Sequence, residues 1–278
     1  MTQRRAYPSD VSDAQWALIA PVLESWRAAR LARDPVGNTP KYGLREIWNA
    51  ILYLNRAGCP WEYLPHEFPH FRAVYFYFGA WRDEGIFARL NTDVTRLARI
   101  KAGRSPEPTA AIIDTQSVKT SGNVRARDQG ADAAKRIVGR KRGISTDTLG
   151  LLLAVIVMAA SATENQAGIS LLSQAKAAYP TISKAWTDEG FKNQAVEHGA
   201  RLGVNVEIVP RRSDIPGFHV LKRRWVVERT FGWLMLHRRL ARDYETHARS
   251  SESMIYIAMT GNLTKRINGT ATPTWHGA

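Results

Sequence analysis

Three carboxylates in the 278-residue chain stand where they could do chemistry. Asp114 and Asp188 each follow a short apolar run, Ala110-Ala111-Ile112-Ile113 and Ala185-Trp186-Thr187, that reads as a β-strand. In an open α/β sheet, sites form outside the carboxyl ends of the strands, so an acid placed there points at the mouth of a site. Glu228 lies within a helical stretch whose apolar stripe is Val227, Phe231 and Leu234. Glu228 shares a different face with Arg224, Trp225 and Gly232, and Gly232 leaves room beside the carboxylate. Two Asp and one Glu with few His nearby are hard oxygen ligands, suited to Mg²⁺ or Mn²⁺ rather than zinc. A pair of such ions is a common device for phosphodiester cleavage: one activates water or a 3′-hydroxyl and the other stabilises the leaving oxygen. Each acid also has a plainer reading. An Asp at a strand end is commonly a turn or cap residue, and Glu228 can simply pair with Arg224 at i, i+4.

The elements that must position these acids fall into two halves. Trp16, Ile19 and Leu23 recur at helical spacing behind Asp10 and Ser12, which are helix-start residues. Leu44, Ile47, Ile51 and Leu54 repeat the pattern until Gly58-Cys59-Pro60 stops it. Val74, Phe78 and Trp81 predict a third helix ending near Gly85, and Phe87, Leu90, Val94 and Leu97 a fourth. Such helices read either as a helix-turn-helix module or as a plain bundle. Residues 101–108, with one Gly and two Pro, read as a linker. Beyond it the pattern predicts a hairpin over 141–147 and 151–159, helices over 169–178 and 193–202, and a strand over 204–209. A long helix over 223–242 and another over 251–267 complete it. Strands alternating with crossover helices predict an α/β sheet with helices on both faces. The stretch 121–134, without core-forming residues, reads as a mobile loop.

Two basic segments adjoin the acids. Lys119, Arg125, Arg127, Lys135, Arg136, Arg140, Lys141 and Arg142 form the first; Arg211, Arg212, Lys222, Arg223, Arg224, Arg229, Arg238, Arg239 and Arg242 form the second. A charge run is often only a solvated face. Flanking candidate catalytic acids, these two suggest a groove that tracks phosphates. The whole chain carries 39 Lys and Arg against 25 Asp and Glu, a formal charge of +14, with a sequence pI near 10.2. That balance points to a polyanionic partner. The longest apolar run, 149–160, is too short to span a bilayer. The first residues lack the apolar stretch of a signal peptide, and a single cysteine, Cys59, excludes an intrachain disulfide and a Cys-rich zinc site. The mean hydropathy of −0.31 fits a soluble protein. A cytoplasmic, nucleoid-associated protein is the expectation. No phosphate-binding Gly-Lys-Ser/Thr loop and no GxGxxG fingerprint supports ATP or NAD.

Several strings resemble the DDE transposases of bacterial insertion sequences, in the IS-five (IS4-like) branch. In the helical half they are Asp13-Ala14-Gln15-Trp16, Asn49-Ala50-Ile51-Leu52-Tyr53-Leu54, Gly58-Cys59-Pro60-Trp61 and Trp81-Arg82-Asp83-Glu84-Gly85. In the second half they are Ile112-Ile113-Asp114-Thr115-Gln116-Ser117, Asp147-Thr148-Leu149-Gly150 and the specific run Arg224-Trp225-Val226-Val227-Glu228-Arg229-Thr230-Phe231-Gly232-Trp233. The second Asp sits in Thr187-Asp188-Glu189-Gly190-Phe191, where the family more often has Ala-Asp-Gly-Gly-Tyr. Met158-Ala159-Ala160-Ser161 replaces a His-Pro-Ala-Asp run, with Glu164 near a later acid's place, and Leu221 stands where a Tyr is usual.

The resemblance implies an RNase H-like mixed sheet with helices on both faces, preceded by an all-α helix-turn-helix-type domain. It implies a DNA-binding domain over 1–100, a linker over 101–108 and a catalytic domain over 109–270. Asp114, Asp188 and Glu228 would be catalytic and hold Mg²⁺ or Mn²⁺. Lys119, Lys135, Arg136, Arg140, Lys141, Arg142, Arg224 and Arg229 would bind DNA. The partners implied are double-stranded DNA, at terminal inverted repeats and at a target, and further copies of the chain in a dimer or larger assembly; no membrane is implied. A non-catalytic repressor derived from a decayed transposase, or an RNase H-like nuclease, are the competing readings. Three retained acids oppose the first, and the helical DNA-reading half opposes the second.

Overall fold

The structure is a computed structural model that describes residues 4–33, 41–210 and 224–270. Four helices come first: α1 (Asp13–Arg33), α2 (Leu44–Ala57), α3 (Phe71–Asp83) and α4 (Ile86–Lys101). α2 and α3 bury the stripes their spacing predicts, Ile47, Ile51 and Leu54 on the first and Val74, Phe78 and Trp81 on the second, whereas α4 buries Phe87, Leu90 and Val94 but leaves Leu97 exposed, with Ala98 turned inward in its place. Gly58 ends α2 and Gly85 opens α4, both in the left-handed region at φ 76° and 70°, where a side chain would strain the backbone. Only Glu84 and Gly85 join α3 to α4, whereas residues 58–70 separate α2 from α3. Among the described residues the tightest connection between these helices is therefore the α3–α4 one.

The second half supplies six strands: β1 (Ala110–Lys119), β2 (Gly130–Asp132), β3 (Ile137–Thr146), β4 (Leu152–Ala159), β5 (Lys184–Thr187) and β6 (Asn205–Ile208). They form one sheet in the order β2-β3-β1-β5-β6, with β4 also paired to β3. The β4–β3–β1 pairs are antiparallel and the β1–β5–β6 pairs parallel. The helices are α5 (Glu164–Ala178), α6 (Gln194–Arg201), α7 (Trp225–Met235) and α8 (Ala248–Ile267). Strand alternation sends Ala111 and Ile113 into a core with Leu171, Phe191 and Ala195 of the α5–α6 side. Ile112 and Ile144 point the other way, into a core with Val227, Phe231 and Met254 of the α7–α8 side. A mixed sheet covered on both faces is the RNase H-like arrangement, with an all-helical region before it.

Several local expectations need correction. β1 does not end before Asp114 but continues to Lys119, because Thr115 and Ser117 keep pairing with β3. Residues 121–134 are not a bare loop: Val124 is buried, and β2 pairs with β3. α5 begins at Glu164, ahead of the apolar run, because Thr163 and Gln166 form a reciprocal capping box. The long helix expected over 223–242 stops at Met235 and gives way to a short 3₁₀ turn over Arg238–Leu240.

The core crosses the boundary between helices and sheet. One apolar cluster contains Trp48, Phe78 and Phe87 together with Leu152, Val155, Met254 and Ile257. Buried polar bonds cross it as well. The Asn91 side-chain amide donates to the Leu152 carbonyl at 2.8 Å, and that of Asn55 donates to the Met254 carbonyl at 2.9 Å. Arg99 at the end of α4 pairs with the fully buried Asp147.

Candidate active site

Ile112 and Asp114 share the face of β1 that looks toward α7. The parallel register pairs Ile112 with Trp186. The same offset carried two residues on sets Asp188, just past the end of β5, beside Asp114. From α7, Glu228 reaches the same place one turn after Arg224, which stands at the helix start. Arg224 Nη2 lies 3.5 Å from Asp188 Oδ2, 3.7 Å from Glu228 Oε1 and 3.9 Å from Asp114 Oδ2. Three acids far apart in sequence thus gather round one guanidinium nitrogen.

One cation faces three acids, and the imbalance shows. Burial pushes the Asp114 carboxyl up to about 7, and the Asp188 and Glu228 carboxylates add to the rise. Arg224 and the Thr115 N–H, which donates to Asp114 Oδ1 at 2.7 Å, pull the other way. Asp188 is nearly buried and accepts from the Gly190 N–H at 3.0 Å. Glu228, with its side chain 44% exposed, stands at the mouth. Among the described residues no three His, Cys, Asp or Glu side chains already surround one metal position. The donor set itself, all carboxylate oxygen with excess negative charge, suits a hard divalent cation.

A fourth acid joins them. Glu164, in the first turn of α5, accepts from the Thr115 hydroxyl at 3.4 Å. A Cβ on Gly190 would overlap Glu164 Oε2 and lie 3.1 Å from Asp188 Oδ1, so glycine there leaves the space that lets Glu164 approach Asp188. The resemblance had set Glu164 near a later acid's place, and the Thr163/Gln166 capping box holds it at the start of α5. Glu189, next to Asp188, is exposed.

Residues 105–263 match the family described as transposase DDE domain, and residues 11–91 match one described as transposase of the IS4/5 family. The chain belongs to the DDE transposase family. Comparison with curated proteins finds no match. DDE transposase domains act on DNA and use divalent metal ions. Among the described residues no helix is long and apolar enough to cross a membrane.

For a DDE transposase, the placement of the basic residues matters as much as that of the acids. Lys119, Lys135 and Arg136 are exposed on the β1 end and the β2–β3 turn. Arg140, Lys141 and Arg142 are not. Arg140 is fully buried, bonded to the Asp243 carboxylate and to the carbonyls of Asp128, Glu245 and Thr246. Arg142 is buried against the Leu240 carbonyl, and Lys141 Nζ donates to the Ala162 carbonyl at 2.6 Å. The basic run lies inside a central strand, so these side chains brace the fold, and the expectation that they touch phosphate is corrected. Arg224 is committed to the carboxylates. Arg229 turns from them, donating to the Leu149 carbonyl at 2.9 Å with its guanidinium 4.8 Å from the rings of both Trp225 and Trp233. Arg211, Arg212, Asp214, Leu221, Lys222 and Arg223 lie outside the described residues.

Proposed function

We propose that this transposase binds the terminal inverted repeats of an insertion sequence, cuts DNA strands there and joins the freed ends to target DNA. The observation that carries the reading is the meeting of Asp114, Asp188 and Glu228 round Arg224 Nη2. A structural salt bridge needs one acid for its arginine, whereas three acids in a partly open cluster favour a site that takes up further positive charge. Asp114, Asp188 and Glu228 would hold Mg²⁺ or Mn²⁺, with Glu164 beside them. When bound, the ions supply activation of the attacking oxygen and stabilisation of the leaving one.

The chain's own groups define the rest. Asp114 and Asp188, fixed on adjacent strands, set the inner wall of the site. Glu228 at the mouth is the acid a DNA strand would meet first. Attack by water on the phosphorus breaks its bond to the 3′-oxygen, which leaves as a 3′-hydroxyl with a proton from solvent. That hydroxyl then attacks a target phosphodiester, losing its proton as the target's own 3′-oxygen leaves with one. Residues 1–100 would read the repeats, 101–108 would link them to the chemistry over 109–270, and exposed Lys119, Lys135 and Arg136 would track phosphates. Holding two ends together calls for a dimer or larger assembly on DNA. The alternatives, a repressor without catalysis or a nuclease without strand transfer, are separated from this reading by one experiment. A plasmid carrying the sequences that flank the gene is incubated with protein and Mg²⁺. Cutting at the repeat ends, followed by joining to a second plasmid and abolished by chelator, is the expected result. Repeat binding without cutting would support the repressor, and cutting without joining the nuclease.

A further inference from the structure

A second cavity is lined from α7 by Arg229 and Trp233 rather than by the carboxylates. About 560 Å³ in volume, it opens between the chain start, α1, α2, α7 and α8. Its wall carries Arg56, Arg229, Lys265 and Arg266 and, among the described residues, no Asp or Glu. None of these four cations makes an ion pair among the described residues, although carboxylates are available elsewhere on the surface. Lys265 Nζ reaches only the Pro8 carbonyl, at 3.4 Å. Burial and the facing Arg56 lower Lys265 from its ordinary range, and Arg266 acts likewise on Arg229 after burial. Cations gathered against their own repulsion call for an anion.

The wall between these charges is apolar. Leu52, Met259 and Leu263 line it, with Trp233 alongside. His237 also lines it, 6% exposed, with Nδ1 lacking a hydrogen-bond partner among the described residues and Nε2 3.4 Å from Asn262 Oδ1. Burial, then Arg56 and Lys265, hold His237 down to about 4, so at neutral pH it is an uncharged donor or acceptor. Free phosphate would use the cations but not the apolar wall, and an aliphatic acid would leave His237 Nδ1 unpaired. A nucleotide supplies all three features: a phosphate, a flat apolar face and polar ring edges.

We propose that this cavity binds a single nucleotide unit. Its phosphate meets Arg56, Lys265 and Arg266, and its base lies against Trp233 and the aliphatic wall with an edge toward His237. The unit is either an unpaired nucleotide of DNA or a free mononucleotide, and the two sources are separable. The inference goes beyond the transposition reading and uses none of its carboxylates.

The test is calorimetry on the full chain without metal. The probes are a deoxynucleoside 5′-monophosphate, the deoxynucleoside alone, inorganic phosphate, and DNA duplexes with blunt or single-nucleotide unpaired ends. The expected result is that the monophosphate, the unpaired end or both bind roughly tenfold or more tightly than their controls: nucleoside and phosphate for the first, blunt duplex for the second. An advantage of the unpaired end alone assigns the site to DNA. An advantage of the monophosphate alone assigns it to a free ligand. The double variant Arg56→Gln, Lys265→Gln should lose the advantage, and the charge-conserving Lys265→Arg should retain most of it. The measurement uses no metal and reads no cleavage, and Glu189→Gln should bind as the wild type does, so failure here is distinguishable from failure of the catalytic reading. Monophosphate and unpaired end each binding no better than their controls, or a double variant that binds like the wild type, would overturn the proposal.

Discussion

Arg140 and Arg224 are both buried and both face acids, and they do so differently. Arg140 and Asp243 are both fully buried. The Arg140 guanidinium donates to one carboxylate and three backbone carbonyls, and Asp243 in turn accepts from the Ser251 hydroxyl at 2.7 Å and the Glu245 N–H at 3.0 Å. Charge and hydrogen bonds balance, and the pair is closed. Arg224 is nearly as buried, yet its Nη2 stands 3.5 to 3.9 Å from three carboxylates, and Glu228 is open to water. There the charge does not balance. A closed pair of this kind braces a fold, whereas an unbalanced, partly open one is where a ligand can add charge.

The comparison can be broken from either side. Arg140→Met leaves Asp243 buried without its cation and should destabilise the protein by about 3–5 kcal/mol, read as denaturant midpoint. Arg224→Met should cost less, because Glu228 is already open to water and the Asp114 carboxyl, pushed up to about 7 by burial, can take a proton once the guanidinium is gone. On the activity side the order reverses. Asp114→Asn, Asp188→Asn and Glu228→Gln should each lower strand cleavage roughly a thousandfold, about 4 kcal/mol of barrier, with folding intact by circular dichroism. Glu189→Gln, altering an exposed neighbour, should keep most activity.

A third effect is smaller and depends on pH. The folded-state value of Asp114 lies above its unfolded one, so its contribution to stability is full below about 4 and is lost as pH rises through about 7. Metal-free protein should therefore melt lower at pH 8 than the Asp114→Asn variant, by an amount worth about 1 kcal/mol or more. Added Mg²⁺ should close that gap for the wild type only. The smallest effect concerns DNA. Changing Lys119, Lys135 and Arg136 to Ala should reduce the slope of log affinity against log salt by about 0.9 for each phosphate no longer neutralised. Arg142→Lys, at a buried position, should leave that slope unchanged.

Helical stripes were legible along most of the chain, because a 3.6-residue period survives in sequence whatever it packs against. The strand ends were less so. Thr115, Gln116 and Ser117 are polar and read as loop, yet backbone pairing with β3 carries β1 through them. The same pairing hid the fate of the basic run: on a central strand every side chain meets one packed face or the other, so Arg140, Lys141 and Arg142 all went inside. The break after Met235 has no Pro or Gly to announce it; the segment after it turns back toward β3, where the carbonyls of Leu240, Glu245 and Thr246 accept from Arg142 and Arg140. For the site, residue type, the apolar runs and the helical stripe singled out the three acids that gather round Arg224, although Asp114 lies within β1 rather than at its end. The pairing of Arg224 with Glu228 and the position of Glu164 near a later acid were legible, but that Arg224 also faces Asp114 and Asp188, and that Glu164 meets Thr115, depends on packing between elements, which no local pattern records.

The central claim is that Asp114, Asp188 and Glu228 together make one divalent-cation site. Titration of the metal-free protein with Mn²⁺, followed by electron paramagnetic resonance of the free ion, measures it without DNA or catalysis. The account predicts saturable binding to the wild type, weakened roughly tenfold or more by each of Asp114→Asn, Asp188→Asn and Glu228→Gln, and little changed by Glu189→Gln. Binding that is equally tight in the wild type and all three amide variants would contradict it.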